Sequence, residues 1–282
     1  AGRHPLAAGA AGRLRLSHPV RDGRGALPHR AARNPAGPAP AQRRLPPCPR
    51  ECIMTDTAVS IRDLEVHFPL GRSLLGKPPV LKAVAGVTLD IPRGSFFGLV
   101  GESGSGKSVA ALMAMGLLDK RAEIKAGAAQ LFSEDLLSFS SEKWSDLRGN
   151  EVAMVFQDPM TALHPSIRIG RQLEEVLERH TTLGRVDREK AVHAALHEVE
   201  IPDPKSSSKK YPHEMSGGQR QRVVIAMAML MKPKLIIADE PTTALDKAVE
   251  GKILALLKKL VRESGAALWL ISHDLEVVAE VA

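Results

Sequence analysis

The stretch that most constrains this chain is an apolar run emptying into a glycine loop. Phe96-Phe97-Gly98-Leu99-Val100 leads into Gly101-Glu102-Ser103-Gly104-Ser105-Gly106-Lys107-Ser108, and Val109 to Leu118 follows, rich in Ala, Leu and Met. A short unbroken apolar run suits a parallel strand buried on both faces. Glycines let successive backbone N–H groups turn inward with no Cβ in the way, and the helix behind them adds the positive end of its dipole. Strand, G-x-x-x-x-G-K-S and helix together predict a cradle for nucleotide phosphates, with Lys107 reaching the β- and γ-phosphates and Ser108 holding Mg²⁺. An accidental Gly-rich turn is the competing reading. On average residue usage about one random chain in a hundred of this length would carry the pattern, and the flanking strand and helix lower that further.

The rest of the chain alternates strands with helices, which predicts an α/β fold with a mostly parallel sheet and helices on its faces. Strands are expected at Ala58–Phe68, Val80–Ile91, Glu151–Phe156, Lys234–Ala238 and Ala266–Ile271, with turns at Gly71–Pro79 and Pro92-Arg93-Gly94. Helical periodicity marks Ile169–His180, Arg188–Glu200, Gln219–Met231 and Lys247–Ser264. Residues 158–215 read as a mainly helical inserted lobe, with a loop around Pro202, Pro204 and Ser206-Ser207-Ser208. There is no internal repeat and no run of eighteen apolar residues, so no spanning helix is expected. The chain stops soon after a strand without a terminating pattern and reads as a piece of a longer protein.

The net charge of +7 invites a nucleic-acid partner until it is located. Residues 1–53 hold ten Arg, no Lys, and only Asp22 and Glu51 as acids, so they carry +8 and the remainder sums to −1. No nucleic-acid partner is therefore expected for the domain at 54–282. The leader also holds nine of the twenty prolines and no Phe, Trp or Tyr, a composition that cannot bury a core and predicts disorder. It admits a targeting segment, a nucleic-acid tail, or sequence upstream of the true start. The last is preferred, because Met54 opens a natural run into the first strand. The only cysteines, Cys48 and Cys52, fall in this leader, and a single pair is too little for a zinc site.

Leu235-Ile236-Ile237-Ala238 ends in Asp239 and Glu240, at the strand end where open α/β sheets bind ligands. Asp239 is placed to support Mg²⁺ and Glu240 to polarise an attacking water. Two acids that merely cap the next helix are the bland alternative, weakened by the upstream phosphate loop. Gln157 and His273 also stand at strand ends. Gln157 is a candidate to reach the metal or the attacking water, against a plain loop glutamine; most histidines so placed are structural. Met215-Ser216-Gly217-Gly218-Gln219 is a Gly-rich helix start with no evident task in the site formed by the others.

That motif makes sense of the set. Met-Ser-Gly-Gly-Gln-Arg-Gln-Arg at 215–222 resembles the signature of ATP-binding cassette (ABC) ATPases, and with Gln157, Ala244-Leu245-Asp246 and His273 the chain is similar to that family, motif by motif and in order, over residues 58–282. Phe156-Gln157-Asp158-Pro159-Met160-Thr161, Tyr211-Pro212-His213 and Ala238-Asp239-Glu240-Pro241-Thr242-Thr243-Ala244-Leu245-Asp246 resemble the ATP-binding subunits of bacterial dipeptide and oligopeptide importers. Met215 stands where Leu is usual, a volume-conserving change. Ala162-Leu163-His164-Pro165 departs from the usual Ser-Leu-Asn-Pro, which leaves details of the permease contact open.

The resemblance implies a P-loop NTPase core with a mostly parallel sheet, an N-terminal antiparallel β part and the helical lobe. It implies ATP and Mg²⁺ as cofactors. Phe68 would stack on adenine, against the alternative of a core Phe. Gly101, Ser103, Gly104, Ser105, Gly106, Lys107, Ser108 and Val109 would bind the triphosphate, and Ser108, Gln157 and Asp239 would surround the metal. Glu240, His273, Lys107 and Gln157 would serve catalysis. Ser216, Gly217, Gly218 and Gln219 would contact the nucleotide of a second ABC subunit, with Asp246 at that interface. The remaining partners implied are an integral membrane permease and, indirectly, an extracytoplasmic solute-binding protein, which puts the chain at the cytoplasmic face of the bacterial inner membrane. Soluble ABC ATPases of DNA or ribosomes need long heptad arms or two cassettes, and neither is visible. A truncated tandem cassette stays open. Intact Glu240 and His273 argue against a regulator without turnover, and the absence of fused spans argues against an exporter.

Overall fold

The computed structural model describes residues 56–70, 79–243 and 245–281. The leader with Cys48 and Cys52, nearly all of the turn expected at 71–79, and Ala244 lie outside these residues.

Strands β1 (Thr57–Pro69) and β2 (Val80–Pro92) pair antiparallel. In β1 the buried residues Ile61 and Leu64 are an odd number apart, which in a regular strand would put them on opposite faces. The register absorbs this with a bulge: Ile61 pairs Leu89 and Leu64 pairs Val87, three steps against two. Asp63 takes the left-handed conformation there (φ 48°), and its N–H donates to Thr88 Oγ1 at 3.0 Å. Leu64 and Val66 thus return to the core, both fully buried.

Then follow β3 (Phe96–Val100), α1 (Lys107–Ala114), β4 (Glu123–Lys125), β5 (Ala128–Leu131), β6 (Glu134–Asp135), α2 (Ser141–Leu147) and β7 (Val152–Val155). The segment between α1 and β7 escaped the sequence reading. β4 is exposed at every position, so it shows no alternation and is held by backbone pairing to β1. Next come α3 (Pro159–Ala162), α4 (Ile169–His180), α5 (Arg185–Glu198), α6 (Pro204–Ser207) and α7 (Gly217–Met229). Helix α5 starts three residues before the expected Arg188, and α6 occupies part of the expected loop because Asp203 caps it, accepting from Ser206 N. The chain closes with β8 (Leu235–Asp239), α8 (Lys247–Ser264), β9 (Ala267–Ser272) and α9 (Leu275–Val281).

Two sheets result. One is antiparallel, in the order β2-β1-β5-β6 with β4 also on β1; the other is wholly parallel, in the order β3-β9-β8-β7. The central strands β8 and β9 are buried at every residue, which is why they read as unbroken apolar runs. Their side chains alternate between two cores. Ile236, Ala238, Leu268 and Leu270 pack with α7 and α8. Leu235, Ile237, Trp269 and Ile271 pack with α1 and the β1–β2 hairpin. Helix α8 is delimited by its own ends: Asp246 accepts from Val249 N at its start, and Gly265 closes it at φ 69°. Because the four strands run parallel, Val100, Asp239 and Ser272 finish on one edge.

Candidate functional site at the strand ends

The loop after β3 turns on two left-handed glycines, Gly104 (φ 80°) and Gly106 (φ 91°), the second being the N-cap of α1. A Cβ on Gly106 would sit 2.3 Å from the Ala83 carbonyl oxygen, so the loop lies directly against β2. Lys107 Nζ folds back beneath the loop and donates to the carbonyls of Gly101 (2.7 Å) and Glu102 (2.8 Å). Ser108 Oγ donates to Asp239 Oδ1 at 3.0 Å, joining the loop to the end of β8 across 131 residues of sequence. Asp239 is buried, and burial is the main cause that pushes its carboxyl above the ordinary range. The Ser108 bond opposes that rise, the neighbouring Glu240 charge adds to it, and Lys107 opposes it.

Glu240 adopts the left-handed region (φ 46°), unusual for a residue with a Cβ, and its N–H is anchored on the Ile271 carbonyl at 2.9 Å. Its carboxylate is met by polar groups from three places. Gln157 Nε2 reaches Oε2 at 3.2 Å, Thr243 Oγ1 donates to it at 2.9 Å, and His273 Nδ1 lies 3.3 Å away. β9 stands between β3 and β8, so His273 emerges beside the acid rather than across the sheet.

A cleft of about 390 Å³ opens over these groups. Its walls bring together Phe68, Ser103, Gly104, Gly106, Lys107, Ser108 and Val109 with Gln157 and Glu240. Gly101 contributes through its carbonyl to Lys107, and Ser105 packs inside the loop against Gly101. Asp239 meets the cleft through Ser108, and His273 through Glu240. Ser108, Asp239 and the amide oxygen of Gln157 offer hard oxygen donors, a set that suits Mg²⁺ completed by phosphate oxygens. Among the described residues no cluster of His, Cys, Asp and Glu forms a cation cage without them.

Ser216, Gly217, Gly218 and Gln219 do not line this cleft. They begin α7, where Ser216 Oγ accepts from Gln219 N (3.3 Å) and Gln219 Oε1 accepts from Ser216 N (3.0 Å), a reciprocal cap. Gly218 approaches Val249 so closely that a Cβ would lie 2.9 Å from its Cγ1. Asp246 is likewise outside the cleft, capping α8. Sequence reasoning passed over Thr243, whose hydroxyl is the shortest of the contacts to Glu240, and Lys82 and Ala83 of β2, which line the cleft. The position of Thr243 three residues after an acidic strand end was the available signal; for the β2 residues there was none.

The family described as ABC transporter matches residues 84–243. The chain belongs to the ABC transporter family. The matched segment of this ABC transporter chain covers the phosphate loop, Gln157, the Ser216–Gln219 turn, Asp239 and Glu240, while Phe68, Asp246 and His273 lie beyond it. It is 45% identical over 229 residues to the probable peptide ABC transporter ATP-binding protein y4tR of Sinorhizobium fredii (strain NBRC 101917 / NGR234), covering 80% of this chain and 66% of that protein. It is 46% identical over 228 residues to the dipeptide transport ATP-binding protein DppD of Bacillus subtilis (strain 168), with the same coverage of each. The chain thus spans 66% of the length of these relatives. Its fold is similar to the dimeric structure of MJ0796, a bacterial ABC transporter cassette, with TM-score 0.67, 28% identity, and coverage of 79% of this chain and 90% of that one. It is also similar to cbiO1 of Clostridium perfringens, part of the ABC transporter complex cbiONQ, with TM-score 0.63 and 25% identity over 79% and 81% of the two chains.

Proposed function

We propose that this chain is the ATP-binding and hydrolysing subunit of a bacterial importer of peptides or related small solutes. It pairs with a second cassette on a separate membrane permease, which an extracytoplasmic binding protein supplies. One observation carries the reading: the phosphate loop, Asp239 and the Glu240–Gln157–His273 group converge on one cleft, while the Ser216-Gly217-Gly218 helix start stands outside it, free to serve another chain. The names of the relatives support the peptide cargo, and the dimeric cassette structures support the pairing.

In this scheme Phe68, on the cleft wall at the end of β1, presents its ring to the nucleotide base. Lys107 and the loop N–H groups meet the charge on the terminal phosphates, aided by the positive end of α1. Ser108 and Asp239 would hold Mg²⁺, which would neutralise phosphate charge. Glu240 accepts a proton from the attacking water, and His273 and Gln157 steady the groups around it. Ser216, Gly217 and Gly218 complete the site of the other subunit, so closure of the pair excludes water and strengthens each contact.

A second feature supports the permease. An apolar groove of about 270 Å³, lined among others by Met115, Leu117, Met154, Phe156, Val176 and Met227, runs between the end of β7 and the helical lobe. It begins one residue from Gln157 and suits a short apolar helix of a membrane subunit. No helix among the described residues is long and apolar enough to cross a membrane. The proposed location, at the cytoplasmic face of the inner membrane and peripheral to it, follows from docking on that permease.

The test is Glu240→Gln in the full-length protein. Hydrolysis is expected to fall by about 10²–10⁴-fold, and light scattering in the presence of ATP should report a stable dimer. A monomeric profile in ATP contradicts the scheme.

A further inference from the structure

The three groups around Glu240 are not equivalent. Gln157 follows β7 and His273 follows β9, so each reaches the carboxylate from a different strand. Thr243 belongs to the same turn as Glu240. That turn is closed by Thr243 N on the Glu240 carbonyl (3.3 Å) and by Leu245 N on the Thr242 carbonyl (2.9 Å). Its hydroxyl makes the shortest of the three contacts, 2.9 Å against 3.2 and 3.3 Å. A carboxylate only accepts, so the hydroxyl donates. All three contacts fall on Oε2, which leaves Oε1 as the oxygen not engaged by any of them.

The geometry creates a need that Thr243 meets. Glu240 leaves a left-handed backbone (φ 46°) on a side chain with three rotatable bonds. Freezing such a side chain costs about 1.5–2 kcal/mol of rotamer freedom, and a base works only when held within reach of its water. Gln157 and His273 can steady the carboxylate only while their own strand ends stay in register with β8. Thr243 moves with Glu240, so its bond persists when the neighbouring strand ends shift. Its β-branch narrows the hydroxyl to few rotamers, which suits a fixed donor.

We propose that Thr243 is a positioning residue for Glu240: its hydroxyl pins Oε2 and turns Oε1 into the oxygen that faces the attacking water. This rests on the reading of Glu240 as the base in ATP hydrolysis. The role is separate from nucleotide binding, because Thr243 is not among the residues lining the cleft.

The experiment compares Thr243→Val, which keeps the shape and removes the donor, with Thr243→Ser, which keeps the donor. Both are made in the full-length protein beside wild type and Glu240→Gln. Steady-state ATP hydrolysis gives kcat and KM, and a non-hydrolysable ATP analogue gives nucleotide affinity. Thr243→Val is expected to lower kcat about tenfold, with KM and analogue affinity within about twofold of wild type, while Thr243→Ser stays within about twofold in all three. Wild-type kcat in Thr243→Val overturns the proposal. So does a Thr243→Ser protein as slow as the valine variant, which would make the effect steric. A kcat loss matched by an equal loss of analogue affinity also overturns it, since that is damage to the site as a whole. If Glu240→Gln hydrolyses ATP at the wild-type rate, the base assignment fails and this proposal with it. If Glu240→Gln is inactive while Thr243→Val is unimpaired, only the role of Thr243 is lost.

Discussion

Gly106→Ala tests whether the phosphate loop is built as the structure has it, independently of any nucleotide. Gly106 sits at φ 91°, and its missing Cβ would lie 2.3 Å from the Ala83 carbonyl oxygen and 3.2 Å from Val84 Cγ2. Two costs follow. An L-residue in a left-handed conformation loses about 1–2 kcal/mol. The contact with Ala83 is about 1 Å inside a comfortable non-bonded distance, and it meets backbone, which cannot swing aside as a side chain would. Relief requires the loop or β2 to move, an overpacking cost of about 1–3 kcal/mol. The sum is roughly 2–5 kcal/mol. At about 2–4 °C per kcal/mol for a domain of this size, the melting temperature should fall by about 4–20 °C. Gly104→Ala is the internal control: φ is 80°, yet nothing lies within 4 Å of its Cβ, so it bears only the backbone strain. The assay is thermal unfolding of both variants without nucleotide. A Gly106→Ala protein that melts within about 2 °C of Gly104→Ala would refute the close packing of the loop on β2.

Two further predictions concern charge. Burial raises the Asp239 carboxyl, so the ionised form is disfavoured in the folded protein and its penalty is fully present above the folded pKa. Asp239→Asn should therefore stabilise the nucleotide-free protein at neutral pH, by on the order of 1 kcal/mol, while abolishing hydrolysis. The gain should shrink as pH falls through the folded pKa and vanish below the unfolded value near 3.8; denaturant melts at two pH values check it, and a gain that grows on acidification refutes it. Arg148 donates to the carbonyls of Met115 and Gly116 at the end of α1, and its guanidinium lies 5.0 Å from the centre of the Trp144 ring. Arg148→Met should cost about 1–3 kcal/mol in urea unfolding with an unchanged m-value, and a loss under about 0.5 kcal/mol would show that α1 is held by its packing alone.

Much of the candidate site was legible because its residues lie close together in sequence. The phosphate loop needs glycines where the backbone turns left-handed, at Gly104 and Gly106, and a lysine and serine at the start of a helix, and all of these fall within eight consecutive residues. The two acids at the end of β8, Asp239 and Glu240, were legible because a glycine loop of the phosphate-binding pattern lies upstream; by themselves they would serve equally well to cap the next helix. Phe68 was less so, since an aromatic at the end of an alternating strand serves a core equally well; its place on the cleft wall comes from the β1–β2 hairpin lying beside the loop. Strands β4 and β6 were missed because they are exposed at every residue and carry no periodicity, and β5 because four residues are too few to establish one. The Asp63 bulge was invisible because nothing local announces a register shift that only a partner strand can demand.

Residue order along the chain dictated the phosphate loop, the buried parallel strands and the caps of α7 and α8, because each depends on backbone geometry and side chains a few residues apart. Folding settled what no local pattern contains: that β9 inserts between β3 and β8, that Ser108 meets Asp239 across 131 residues, and that Gln157, Thr243 and His273 share one oxygen of Glu240. Those contacts arise from strand order, and strand order is chosen by which faces bury the most apolar surface together, a property of the whole chain rather than of any segment of it.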